Sequence, residues 1–181
     1  MQDNKSTHAE GDPAAIQRHE ATLLIDPRAL REAFGHFATG VGIIGARTED
    51  GERLGATVNS FTSVSLDPPL VLVCLGHFMR SHDAFVKTKG FSVSLLSHDQ
   101  EELSSRFARV GADKWKDVGV QQGAAGGLII TPSLAHFDCI TYETQVIGDH
   151  TILIGRVVSF ASDRAIRPLL FFQGRYGNLS A

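Results

Sequence analysis

A mainly β chain, closed or nearly closed into an antiparallel barrel with a few short peripheral helices, is the fold this sequence predicts. Three observations carry the prediction. About seven or eight runs of apolar and β-branched residues have strand length. Their connections are hairpin-length, as at Glu49-Asp50-Gly51 and Gly148-Asp149. Helical periodicity is confined to two or three short segments, and no internal repeat or low-complexity tract interrupts them.

Residues 1–22 are polar without sustained periodicity and read as a mobile tail, leaving 23–181 as one domain. Asp26-Pro27 opens a helix, with Asp26 able to cap free amides and Pro27 suited to the first helical position. Leu30, Phe34 and Phe37 recur at i, i+4, i+7 as its expected buried face, and Thr39-Gly40 ends it. Val41–Thr48 and the run from Arg53 form a hairpin. Within it, Gly40-Val-Gly42-Ile-Ile-Gly45 spells G-x-G-x-x-G, but a dinucleotide fingerprint needs a strand before the glycines and a helix after them. Here the helix comes first, so this is not a Rossmann unit.

Ser81 is the expected cap of a short helix over 82–88, and Gly90–Leu96 is a strand. Ser97-His98-Asp99-Gln100 has capping-box spacing before a helix through Ala108. Residues 109–127 read as a covering loop. Leu128–Thr131, Ala135–Ile147 and Thr151–Ala161 read as strands, followed by Leu169–Phe172 and a last Arg175-Tyr176 segment.

The chain is organised around Gly55–Leu75, GATVNSFTSVSLDPPLVLVCL. Its first half alternates small polar with apolar residues, with a register change expected near Phe61-Thr62. Pro68-Pro69 breaks it, and Leu70–Leu75 is a continuous apolar run with the character of a buried strand. Small side chains at Gly55, Ala56 and Thr57 would let a flat ligand lie close to the backbone. A solvated Ser/Thr-rich edge strand accounts for the same composition.

Composition narrows the functional classes. A net charge of −3 over 181 residues argues against a broad nucleic-acid or anionic-membrane surface. No apolar run reaches the ~20 residues of a membrane span, and the N-terminus lacks a signal-peptide core, so the expected compartment is the cytoplasm. The two cysteines, Cys74 and Cys139, lie in apolar runs and are expected to be buried thiols. The histidines show no ligand spacing, so no metal is expected. The serines of NSFTSVS have no motif-placed histidine, which argues against a serine hydrolase.

TVNSFTSVSLDPPLVLVC resembles the signature of the flavin-reductase-like domain family, the small reductase component of two-component flavin monooxygenases. The resemblance runs from about Asp26 to Tyr176 and includes IDPRALREAFGHFATGV, Gln100–Phe107, Asp113-Lys114-Trp115, Gly148-Asp149-His150 and PLLFFQGRY. It implies a Greek-key split β-barrel that binds FMN, with FAD possible, usually as a homodimer. It also implies NADH or NADPH as reductant and a separate monooxygenase as partner.

Carried over by position, the resemblance implies a flavin site made of Gly55, Ala56, Thr57, Asn59, Ser60, Cys74, Arg80, Ser81, Arg106 and Phe107. Arg80 and Ser81 are expected at the phosphate, where a guanidinium, a hydroxyl and free amides suit a dianion. His150, Arg175 and Tyr176 are expected on the nicotinamide side. Met79 stands where the family often has Ser, and Ser94 where it commonly has Asn. The implied reaction is hydride transfer from nicotinamide to flavin, for which no side-chain acid or base is strictly required, so no catalytic residue is assigned. The alternative is a non-catalytic flavin- or ligand-binding split barrel.

Overall fold

The structure is a computed structural model, and it describes residues 25–111 and 113–179. The expected tail over 1–22 lies outside the described residues. The chain divides into two units, one ending at Phe34 and the other starting at Gly35.

The first unit contributes helix α1, Pro27–Phe34. Asp26 Oδ1 accepts a hydrogen bond from the Arg28 amide at 2.9 Å, the capping contact expected of it. The expected buried face is corrected here. No α1 residue is buried, Phe34 is 68% exposed, and Phe37 lies beyond the helix end and is 77% exposed. The apolar period of α1 is thus not a buried face among the described residues.

The second unit is built on strands β1 Thr39–Gly40, β2 Gly42–Arg47, β3 Arg53–Val58, β4 Thr62–Leu66, β5 Pro69–Gly76, β6 Gly90–Leu95, β7 Val120–Gln122, β8 Leu128–Ile130, β9 Ala135–Ile147, β10 His150–Ser162, β11 Leu170–Phe172 and β12 Arg175–Gly177. Helix α2, His82–Val86, follows β5, and α3, Glu101–Ala108, follows β6. Seven strands form one sheet in the order β3-β2-β6-β9-β10-β5-β4, and every pairing in it is antiparallel. β1-β11-β12 and β7-β8 are smaller sheets.

Two neighbouring cores follow from the pleat of β2. Ile44 and Ala46 enter a cluster with Val73, Phe91, Val93 and Leu153. Ile43 points the other way, into a cluster with Leu96, Phe107, Trp115 and Leu128. A strand buried on both faces reads as an unbroken apolar run, which is why GIIGA carries no alternation. Its glycines serve packing: a Cβ at Gly45 would collide with the Leu128 carbonyl. The G-x-G-x-x-G spelling thus lies on β1 and β2, without the following helix that a dinucleotide site needs.

The Gly55–Leu75 stretch becomes three strands. β3 ends at Val58, the expected break falls at Asn59–Phe61, and β4 with β5 form a hairpin around Asp67-Pro68. The Leu70–Leu75 run is corrected from a fully buried strand to an alternating one. Val71, Val73 and Leu75 are buried, while Leu70, Leu72 and Cys74 are half-buried on the opposite face.

The other two expected caps change on folding. The Ser97 box is half formed: Gln100 Oε1 accepts from the Ser97 amide at 2.9 Å, while the Ser97 hydroxyl bonds Asp99. The first four residues therefore make a turn, and α3 begins only at Glu101. Ser81 occupies the N-cap of α2 at φ −93°, ψ 5°, and its hydroxyl makes no capping bond. Capping needs an extended residue there, and this one is not extended.

Candidate functional site

Where β3, the Gly76–Ser81 segment and the loop after α3 meet, they enclose an open cavity of about 530 Å³. One wall is Gly55, Ala56 and Thr57. The Gly55 backbone lies against Phe107 and Trp115, and a Cβ there would collide with the Phe107 ring and sit 2.7 Å from Trp115 Cζ2. The two rings meet edge to face, with centroids 4.8 Å apart at 89°. Trp115 Nε1 donates to the Arg53 carbonyl at 3.3 Å, so the loop after α3 is fastened across β3.

Lys114 fastens the same corner. Its Nζ donates to the Gly55 carbonyl at 3.0 Å and to the Phe107 carbonyl at 2.9 Å. Desolvation holds its ammonium below the ordinary lysine value. The Thr57 hydroxyl donates to the Ser104 carbonyl at 2.6 Å, which joins the β3 wall to α3 and leaves the oxygen's lone pairs as acceptors.

The lining is rich in cations. Arg53, Arg80, Arg109 and Lys114 face Glu52 and Asp113. The Arg53 guanidinium lies 5.7 Å from the Trp115 ring centroid, within cation–π range. Arg80 and Ser81 line the far end and, among the described residues, make no side-chain hydrogen bond or ion pair. A close-approach wall whose lining holds more cations than carboxylates suits a planar ligand that carries phosphate.

Six of the ten residues expected at the flavin line this cavity: Gly55, Ala56, Thr57, Arg80, Ser81 and Phe107. The other four do not. Asn59 lies exposed past the end of β3. Ser60 is occupied in closing the barrel: its Oγ accepts from the Cys74 amide at 2.9 Å and lies 3.2 Å from the Cys74 carbonyl oxygen, bridging from the end of β3 to β5. Arg106 turns away to donate to the Lys116 carbonyl at 2.8 Å, with Glu102 3.5 Å from its other nitrogen. Met79, the first departure from the family pattern, also lines the cavity. Ser94, the second, is buried and accepts from the Ile130 amide at 3.0 Å.

The three residues expected on the nicotinamide side are spread apart. His150 stands at the β9–β10 turn, with Nδ1 2.7 Å from Asp149. Its ring lies 6.3 Å from that of Phe78, which does line the cavity. Tyr176 packs against Phe171 and bonds Ser104 Oγ at 2.8 Å, behind α3. Arg175 is exposed on β12.

Sequence reasoning missed Arg53, Arg109, Lys114 and Trp115 as lining residues. The Asp113-Lys114-Trp115 triplet was the available signal, since a Trp beside a Lys in a glycine-flanked loop needs something to cover.

Comparison with known proteins identifies the family of the chain. Residues 34–180 match the family model described as Flavin reductase like domain. The chain is 41% identical over 84% of its length to a probable flavin reductase of Rhizobium meliloti, and spans only 49% of that protein. It is 40% identical, over 86% of this chain and 80% of the relative, to the reductase subunit HsaB of a flavin-dependent monooxygenase from Rhodococcus jostii. The solved NADH:FAD oxidoreductase SgcE6 of Streptomyces globisporus, in complex with NAD and FAD fragments, superposes with a TM-score of 0.80 at 36% identity, over 88% of this chain and 98% of that one.

Proposed function

The chain belongs to the flavin reductase like domain family, and from that premise we propose that it is an NAD(P)H-dependent flavin reductase supplying reduced FMN, or FAD, to a separate monooxygenase. The observation that carries the reading is the cavity itself: a side-chain-poor wall at Gly55–Thr57, closed by Phe107 and Trp115, with Arg80 in its lining. The flavin, when bound, supplies the hydride-accepting chemistry.

The chain's own residues bind and orient. Ala56 and Thr57 keep the β3 wall small for a ring system, while the absent side chain of Gly55 makes room for Phe107 and Trp115. Arg80 and Ser81 meet the phosphate with a charge-assisted and a neutral hydrogen bond. Arg53 and Arg109 raise the local potential for anions. His150 orients the nicotinamide from the Phe78 side, and the work required of it is alignment of the two rings to about 3–3.5 Å.

The protein acts as a homodimer in this reading. Support comes from apolar side chains left open on the single chain, among them Val146 at 74%, Phe160 at 71% and Leu66 at 95% exposure.

One assay tests the function: NADH or NADPH oxidation by the purified chain with and without added FMN. Flavin-dependent oxidation is the expected result. Flavin binding without any oxidation of either nucleotide would favour a carrier.

A further inference from the structure

The segment that carries Arg80 and Ser81 is bracketed by two histidines, and both rest on one hydroxyl. His77 Nε2 lies 3.2 Å from Thr151 Oγ1, and His82 Nε2 lies 2.9 Å from the same atom. The two rings are 4.9 Å apart at 73°. Thr151 is 1% exposed, in the barrel wall, paired with Leu75 of β5. The main chain repeats the attachment at His77, whose amide donates to the Asp149 carbonyl at 2.9 Å, while the His82 amide closes a turn within the segment on the Met79 carbonyl at 3.0 Å.

Hydrogen-bond chemistry gives this cluster a direction. A hydroxyl has one proton and two lone pairs, so it cannot donate to both imidazoles. His82 Nδ1 lies 2.8 Å from Asp83 Oδ1, and that contact holds the Asp83 carboxyl below its ordinary value, so it is ionised near neutral pH. An ionised carboxylate only accepts, so the neutral form of His82 carries its proton on Nδ1 and leaves Nε2 as an acceptor. Thr151 therefore donates to His82, and His77 donates its Nε2 proton to Thr151. The order of donation runs His77 to Thr151 to His82 to Asp83.

We propose that Thr151 is the positioning residue of the phosphate-binding segment, its hydroxyl clasping His77 and His82 and so holding Arg80 and Ser81 toward the cavity. The proposal rests on the flavin reading above and deepens it. Thr151 does not line the cavity, so it acts through the two histidines. α2 has only five residues and Ser81 makes no side-chain cap, so beside its backbone turn bonds the segment is held from its two ends by the side-chain clasp, which comes from β10, the strand that starts at His150.

The test separates phosphate from ring. FMN and riboflavin affinities are measured by fluorescence titration for wild type, Thr151→Val and Thr151→Ser. Thr151→Val keeps the shape and removes both hydrogen bonds, and FMN affinity should fall about ten-fold. Riboflavin, which has no phosphate, should bind as before, and Thr151→Ser should restore FMN affinity. Unchanged FMN affinity in Thr151→Val, or an equal loss for both flavins, would overturn the clasp. Nitrogen-15 NMR of the flavin-free wild type at pH ~8, above the ordinary histidine value, is an independent measurement that holds even where Thr151→Val does not fold. His82 should be the Nδ1–H tautomer and His77 the Nε2–H tautomer, and a shared tautomer overturns the proposal. A wild-type chain with this tautomer pair that binds no flavin would instead remove the flavin reading, and with it the role given to the clasp.

Discussion

Lys114 Nζ donates to the Gly55 carbonyl oxygen at 3.0 Å, joining the loop after α3 to the strand that forms the cavity wall. The same ammonium reaches the Phe107 carbonyl, so one side chain holds the strand, the end of the helix and the loop in register. A lysine is normally solvated, and placing one here indicates that the corner needs a donor more than it needs an apolar contact.

Lys114→Met should therefore loosen the corner. Two carbonyls lose a charge-assisted donor, and a cost of about 1–2 kcal/mol is expected, read from urea melts. The pH dependence has a defined sign. The folded lysine value lies below the ordinary 10.5, so between the two the unfolded chain binds more protons. This group's contribution to stability then rises with pH across that window. Wild type should show the rise on the way to pH ~10 and Lys114→Met should lack it; equal slopes in both would mean that the ammonium is not desolvated.

Gly55→Ala probes the wall itself. The added methyl meets Phe107 and Trp115, whose rings are already locked edge to face and cannot retreat without opening the second core. Overpacking of this kind costs about 1–3 kcal/mol. Flavin affinity should drop with stability, and Trp115 emission, the single tryptophan of the chain, should shift as the pair is pushed apart. A variant with wild-type melting and an unmoved emission band would show that the wall has slack.

Arg80→Ala removes a charge-assisted phosphate contact, typically about 1.5–3 kcal/mol, so FMN affinity should fall roughly ten-fold or more. Riboflavin serves as the control and should be unaffected. An unchanged FMN titration would place the phosphate elsewhere, with Arg53 and Arg109 the next cations to examine.

Cysteine chemistry follows from burial. Cys139 is fully buried, and its thiol is pushed up to about 12 by desolvation and by the Asp138 carboxylate beside it. Cys74, half-buried, is also raised by desolvation. Thiolate is the reactive form, so iodoacetamide at neutral pH should leave Cys139 unmodified until denaturant is added and modify Cys74 only slowly. Fast labelling of Cys139 in the native protein would contradict the packing of β9 against β6 and β10.

Much of this fold was legible because strand pattern and turn residues agree along the chain. Ala135–Ile147 was readable to the residue, its C-terminal end set by the Gly148-Asp149 turn. Helix ends were less legible. Apolar period alone carried α1 past Phe34, and capping spacing alone placed the start of α3 at Ser97, because neither pattern reports where backbone dihedrals change. The site divides in the same way. Gly55, Ala56 and Thr57 are placed by strand geometry and were readable. Ser60 and Arg106 stand outside the cavity lining because their hydrogen bonds go to Cys74 and Lys116, and side-chain partners of that kind leave no periodic trace. Lys114 was legible only as part of a motif, since its role depends on two carbonyls brought together by the fold.

His150→Ala separates an enzyme from a carrier. The imidazole sits at a turn, bonded to Asp149 and next to Phe78, outside the cavity lining but beside one of its edges. The His150 backbone pairs in the ladder with Gly76 and Ile147, and truncating the side chain leaves those bonds in place. Flavin binding should therefore stay close to wild type. If the ring orients the nicotinamide, kcat/KM for NADH should fall about ten- to a hundred-fold, the equivalent of about 1.4–2.7 kcal/mol of lost transition-state alignment. Reduction of bound flavin by dithionite should be unaffected, because it needs no nicotinamide site. Loss of flavin affinity in the same variant would reassign His150 to the flavin or to the fold. Unchanged kcat/KM would move the nicotinamide site away from the Phe78 edge, toward the Arg109 side of the cavity.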